Sequence, residues 1–412
     1  MRSISSTLLC MLMLMMCACS VVNAQTKEKP KKLIIAVNTP HGVGYFTDNK
    51  GTFLFNKQFE GVSKFSEGLA RVQQNGKYGF INIKGEQVIP YIYDDAGGFS
   101  EGLARVQQNG KWGFINTKGE VVIPCNYDGA WSFSEGLARV EQNGKEGFIN
   151  TKGDVVLPCI FDDAWAFSEG LSPVKQNGKY GFINTKGDVV VSCIYDRAGS
   201  TLSEGLALVE QNGKWGYINT KGEVVIPCIY DYAGEFSEGL ARVQQNGKEG
   251  FINSKGKVVI PCIYDRVGGF SEGLARVQKY LYGPWGYINT KGEVVIPCIY
   301  DEADWFSEGL TYVKQNGKYG FINAKGEVVI PCIYDEADWF SEGLAYVKQN
   351  GKYGFINTQG EVVAPCIYDD AGIFSEGLAH VKQNEKWSII NTQGKVIVAE
   401  CNSNTFWSVV EL

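Results

Sequence analysis

Along Leu103-Ala104-Arg105-Val106-Gln107-Gln108 apolar and polar residues alternate, the period of a strand with one covered face. The run stops at Asn109-Gly110, a dipeptide suited to a two-residue type I′ hairpin, and Lys111 to Asn116 follows as a second strand. Thr117-Lys118-Gly119 makes the next turn, with the glycine free to take a left-handed conformation, and Glu120 to Ile123 is a third strand. Pro124 lacks a backbone donor and belongs at a strand end, a bend or an edge. One unit is therefore a three-stranded meander. Its exit, Tyr127-Asp128 through Phe133, reads as a short turn with Phe133 anchored in the next core.

This pattern recurs along nearly the whole chain. The triplet Ser-Glu-Gly begins at Ser66, Ser100, Ser134, Ser168, Ser203, Ser237, Ser271, Ser307, Ser341 and Ser375, at steps of 34 residues with one of 35 and one of 36. A fixed period overrides the usual reading of 412 residues as two or three domains, because repeat arrays grow by stacking units. The expected fold is all-β, a tandem array of about eleven ~34-residue three-stranded meanders. An open, superhelical, solenoid-like arrangement is favoured. The alternative is one or more β-propellers, for which the unit is short and the number exceeds the usual ~4–8 blades. Residues 33–65 read as a degenerate N-terminal capping repeat, 66–374 as the regular repeats, 375–401 as a degenerate C-terminal capping repeat, and 402–412 as a tail or closing strand.

The start of the chain has another character. Arg2, the apolar run Leu8 to Ala18 and the small-residue exit at Ala24 make residues 1–24 an export signal. Two processing routes stay open, cleavage after Ala24 or lipid attachment at Cys19, with residues 25–32 a Lys-rich tether in either case. The mature protein is expected in the periplasm, anchored to the outer membrane or extracellular. It is expected to lack a transmembrane span and to meet a membrane only if lipidated at Cys19.

Composition fits this picture, with 50 glycines, 13% aromatic residues and two histidines. The net charge of −6 is spread through every unit, so no basic stripe tracks a nucleic acid. Nine cysteines, Cys125 to Cys401, recur once per unit. With three strands per unit spaced ~4.8 Å, equivalent cysteines fall about 14 Å apart, beyond the ~7 Å a disulfide allows. They read as small apolar packing residues.

The units also annotate one another. The strand-two glycine (Gly79, Gly113, Gly147 and their equivalents) marks a place where a β-carbon would collide. The residue before it is Tyr78, Trp112, Tyr180, Trp215, Trp285, Tyr319 or Tyr353, but Glu146 and Glu249 in two units, so that slot is half-covered. Lys111-Trp112-Gly113, Lys214-Trp215-Gly216, the Phe-Ser-Glu-Gly-Leu-Ala phrase and Val-Ile-Pro-x-x-Tyr-Asp resemble the WG (KWG) repeat family of bacterial proteins. The resemblance covers nearly all of the mature chain. It implies β-rich tandem arrays, frequently exported, with a binding or scaffolding role and no catalytic residues attached to the repeat.

Enzyme signatures are not found, and no cofactor or metal is expected. His380 stands where other units carry Arg, Pro, Leu or Tyr. Asp94, Asp128, Asp162 and Asp196 are copies in one environment, whereas a catalytic acid and base need two unlike ones, so they read as turn caps. Function is expected where the repeat is interrupted. Trp131, Trp165, Trp305 and Trp339 fall on corresponding loops and could stack on sugar rings or anchor a protein. Between Gln278 and Trp285 the Asn-Gly hairpin is enlarged by two residues, making Tyr280, Leu281 and Tyr282 a candidate contact patch. The expected activity is non-enzymatic protein–protein binding or scaffolding in the bacterial envelope. Carbohydrate or cell-wall binding through the loop tryptophans is the alternative.

Overall fold

The computed structural model describes residues 31–38, 44–48, 50–55, 57–401 and 406–411; the expected export signal, Cys19 and the tether up to residue 30 lie outside them. The described strands form eleven antiparallel sheets, ten of four strands and one of three. We call the four strands of a unit a, b, c and d. In the unit that carries the sequence pattern above they are Asp95–Ser100, Leu103–Gln108, Lys111–Asn116 and Val121–Tyr127.

Strand a was expected to be a turn, so each meander has one strand more than its pattern displays. Ser-Glu-Gly is itself the tight hairpin between a and b. Ser100 pairs with Leu103, and Glu101 and Gly102 take φ values of 54° and 81°. Asn109 and Gly110 at 53° and 75° form the expected b–c hairpin. In several units strand a shortens to a pair such as Gly129–Ala130, followed by a single bridge from Ser134 to Leu137.

Strand d carries a bulge. Tyr127 pairs with Trp112 and Ile123 with Phe114, so d spends two more residues than c over the same span, with Pro124 and Cys125 in the surplus. The d backbone crosses over the strand-c glycine. At Gly147 an added Cβ would stand 2.6 Å from the Leu157 carbonyl oxygen, which is why the glycine recurs. The space it leaves lets Cys125 Sγ reach the Val106 carbonyl at 3.6 Å, across c. Pro124 therefore sits inside an edge strand at a bulge, where its missing donor costs no ladder bond. Among the described residues the nine cysteines, Cys125 to Cys401, form no disulfide; they are half-buried except for buried Cys401, and burial raises the pKa of Cys125. What separates them differs from the expectation, since successive units are separate stacked sheets rather than neighbours within one sheet.

Cores lie between sheets. Leu69, Phe80, Ile89 and Tyr93 of one sheet pack on Ala96, Phe99, Ala104, Val106 and Ile115 of the next. Phe133 is buried as expected, 4.9 Å from the Phe114 ring and edge-on to it. Clusters of this kind join every sheet to its successor, and an eleventh, holding Ile35, Val37, Leu378, Ile389 and Val398, joins the last sheet to the first.

The tandem array is present, but its ends are joined. The three-stranded sheet combines Lys31–Asn38 and Gly44–Asp48 with Phe406–Glu411, and Lys31 pairs with Glu411 through to Ala36 with Phe406. Residues 31–38 and 44–48 thus share a sheet with 406–411, and this seam joins the two ends of the array. The a strands of neighbouring sheets approach one another, as Gly61–Ser66 does Asp95–Ser100, so the a edges converge on the centre and d forms the rim.

Deleting residues 402–412 is expected to lower the unfolding midpoint sharply and broaden the transition, since it unpairs Lys31–Ala36 and loosens a core worth about 2 kcal/mol per buried apolar side chain. Urea denaturation of the full-length and shortened chains checks this. An unchanged midpoint would show that the seam carries no stability.

Candidate functional site

The four loop tryptophans divide into two kinds. Trp131 and Trp165 stand two residues before the anchoring Phe133 and Phe167, whereas Trp305 and Trp339 stand one residue before Phe306 and Phe340. The segments lie beyond the short strand a, and the offset of one residue sends the side chains to different neighbours. Trp131 folds back over its own sheet, half-buried, with the Arg139 guanidinium 3.7 Å from its ring centroid. The Trp165 amide bonds to the Pro173 carbonyl at 3.1 Å, leaving the side chain 42% exposed. Trp305 and Trp339 meet across neighbouring sheets, with ring centroids 5.6 Å apart and planes at 44°. Trp305 is 47% exposed. The two pairs belong to sheets five steps apart in a ring of eleven, which places them nearly opposite each other across the centre.

The enlarged hairpin lies at the far ends of the strands from the Ser-Glu-Gly turns. Tyr280, Leu281 and Tyr282 are 64%, 51% and 87% exposed. The loop is held from within. Leu281 donates its N–H to Asp265 Oδ2 at 2.6 Å, Gly283 donates to the Tyr280 carbonyl at 2.8 Å, and Gln278 Nε2 donates to the Gly283 carbonyl at 2.5 Å. The structure does not bring this patch together with Trp305 and Trp339.

Around the tryptophans runs a network that the sequence reading did not foresee. In five units strand b carries an arginine whose guanidinium crosses to a strand-a carbonyl of the next sheet, as Arg105 Nη1 does to Ala130 O at 2.7 Å and Arg242 to Val267 O at 3.2 Å. Arg71, Arg139 and Arg276 reach Ala96, Ala164 and Ala303 in the same way. The strand-c aromatic is the arginine's stacking partner, with Arg105 4.9 Å from the Trp112 ring and Arg276 5.2 Å from Trp285. This explains the half-covered slot and its tolerance of Glu. Glu146 accepts the Ala164 N–H at 2.6 Å and pairs with Arg139 at 3.2 Å, and Glu249 accepts the Val267 N–H at 2.7 Å. Burial raises the Glu146 pKa despite that arginine.

The remaining repeated carboxylates are structural too. Asp128 accepts the Asn143 N–H with Oδ2 at 2.8 Å and pairs through Oδ1 with Lys111. It thus caps the next hairpin, as the sequence implies. The Ser-Glu-Gly glutamates reach from unit to unit, Glu101 Oε2 accepting the Gly136 N–H at 2.9 Å and Glu135 Oε2 that of Gly170 at 2.9 Å. His380 is half-buried, edge-on to Trp387 at 6.2 Å. Among the described residues no group of three or more His, Cys, Asp or Glu side chains is placed to hold a metal ion, and no helix is long and apolar enough to cross a membrane.

A chain of stacked sheets with a recurring aromatic-glycine pair on strand c defines a β-repeat protein, and the comparisons say which. The family described as WG containing repeat matches ten times, over residues 46–78, 78–112, 112–145, 147–180, 180–215, 215–248, 250–280, 285–319, 319–353 and 353–387. The chain belongs to that family. Comparison with curated proteins gives no match. Among solved structures, a eukaryotic initiation factor is similar at 12% identity and a TM-score of 0.44, over 92% of this chain and 98% of that one. The extracellular domain of a one component system from B. thetaiotaomicron aligns at 9% identity and 0.29, over 90% of this chain and 65% of that one. PorZ, a surface component of the type-IX secretion system of Porphyromonas gingivalis, aligns at 12% and 0.24, over 93% and 66%. These scores are too low to carry a function across.

The capping aspartates set the acid behaviour. Hydrogen bonds from Lys111 and then from the Asn143 N–H hold the Asp128 carboxyl below its ordinary range, and the same causes act at Asp94, Asp196, Asp231 and Asp369. A carboxyl lowered on folding stabilises the fold above its unfolded value and loses that contribution as pH falls through the folded one. The urea midpoint should therefore drop as pH falls below about 3.9, with a shallower drop in Asp128→Asn. Identical acid profiles for the two proteins would remove the cap from this role.

Proposed function

We propose that this protein is a non-enzymatic, exported binding or scaffold protein of the bacterial envelope that engages a protein partner through its repetitive β surface. One observation carries the reading. Tyr280, Leu281 and Tyr282 form an apolar, strongly exposed patch on a hairpin whose backbone is pinned by Asp265 and Gln278. A pinned aromatic patch loses little conformational entropy on docking, the property of an interface anchor. Export rests on Arg2 and the apolar run Leu8 to Ala18. The repeated carboxylates Asp128 and Glu101 cap a hairpin and link sheets, which supports a structural role for them.

Affinity capture from envelope extract with the mature chain should recover a discrete partner and lose it when Tyr280 and Tyr282 are both changed to Ala. Undiminished recovery would remove the hairpin from the interface.

Exposure of Trp165 and Trp305 supports a second reading, carbohydrate binding by stacking. On that reading, saturating cell-wall oligosaccharide shifts tryptophan fluorescence, and Trp305→Ala abolishes the shift. An absent shift across a panel of envelope glycans would end it.

A further inference from the structure

The arginine that links one sheet to the next is missing at one junction where its acceptors remain. Between the sheets 266–300 and 302–334, Arg276 donates to the Ala303 carbonyl, lies 3.1 Å from Asp304 Oδ1 and faces the Trp285 ring. Ala303 and Asp304 are buried there, at 4% and 7% exposure. One junction on, between 302–334 and 336–368, Tyr312 occupies the arginine's place, and its hydroxyl turns back to Asp304 Oδ2 at 2.5 Å in its own sheet. The facing residues keep their identities as Ala337 and Asp338, but both become partly exposed.

Asp338 is oriented for use. Its Oδ1 accepts the Trp339 N–H at 2.9 Å, and its carboxylate lies near enough to the Tyr346 hydroxyl to help burial raise that group's pKa. Beside it stands the Trp305–Trp339 pair. At the following junction Tyr346 also stands in the arginine's place, but Gly372 replaces the aspartate, so carboxylate, carbonyl and paired indoles coincide once.

We infer that this junction binds a guanidinium from outside the chain, the side chain of an arginine in a partner protein, with Asp338 and the Ala337 carbonyl accepting its N–H groups and the indoles of Trp305 and Trp339 covering its plane. The protein itself supplies the precedents, Arg276 on Ala303 and Asp304, and Arg139 stacked on Trp131 at 3.7 Å. A planar fork satisfies two acceptors and a stacking face together, whereas an ammonium offers a compact, strongly hydrated charge. The inference deepens the protein-binding reading and rests on it, adding the chemistry of the partner at a place distinct from the Tyr280–Tyr282 hairpin.

The test is fluorine NMR of the mature chain labelled with 5-fluorotryptophan, titrated with N-acetyl-arginine amide and, separately, N-acetyl-lysine amide. The resonances assigned to Trp305 and Trp339 should shift saturably with the arginine compound and several-fold more weakly with the lysine compound. Asp338→Asn should abolish the response. Tyr312→Arg, which supplies the guanidinium from within, should abolish it too while the other tryptophan resonances stay in place and report an intact fold. No saturable shift, or an equal shift in Tyr312→Arg, would overturn the inference. A shift caused by an N-acetylglucosamine tetramer but not by the arginine compound would assign the indoles to glycan instead. Capture through Tyr280 and Tyr282 is read at another part of the molecule, so either result can fail alone.

Discussion

None of the described sheets owns a core. Each apolar face is covered only by its neighbour, so the burial of Phe114, Phe133 or Ile149 is a property of a junction rather than of a unit. That burial is the dominant favourable term, and the polar links between sheets are secondary to it. Pairs such as Lys111–Asp128 are half-exposed and contribute little individually, whereas Glu101 and Arg105 fix the angle at which the apolar faces meet. Because every sheet needs two neighbours, joining the ends leaves none uncovered.

Much of this is legible in one unit. The b–c hairpin follows from Asn109-Gly110, and the strand-c glycine from its persistence in nine units, Gly79 to Gly354, while the residue before it changes. Strand a was hidden because its hairpin is turned by Glu101 at positive φ, where turn rules look for Asn, Asp or Gly. What offsets that unfavourable conformation is the carboxylate's bond to Gly136, a partner in another sheet that no local window contains. Closure was hidden likewise. Ile34 to Val37 reads locally as a worn copy of the repeat and 402–412 as a tail or closing strand, and only the pairing of 31–36 with 406–411 across the length of the chain joins them.

The candidate site was legible in part. The exposed aromatic residues of the enlarged hairpin are where the sequence puts them. The loop tryptophans looked equivalent because they share a loop. A displacement of one residue relative to the anchoring phenylalanine separates Trp131 under Arg139 from Trp305 against Trp339. Tyr312 looked like one more tolerated substitution at a variable position. Its significance lies in the residues it no longer covers, and those belong to the following unit.

The seam also imposes an order on synthesis. Lys31–Asn38 precedes every regular unit, yet the strand that completes its sheet, Phe406–Glu411, follows all of them. Throughout elongation, Ile35 and Val37 have neither that strand nor the packing of Leu378 and Ile389, while each regular unit can dock on its predecessor as it emerges. Lys31–Asn38 thus waits through all the regular units for its cover, and the seam depends on keeping it from pairing elsewhere until Phe406–Glu411 arrives.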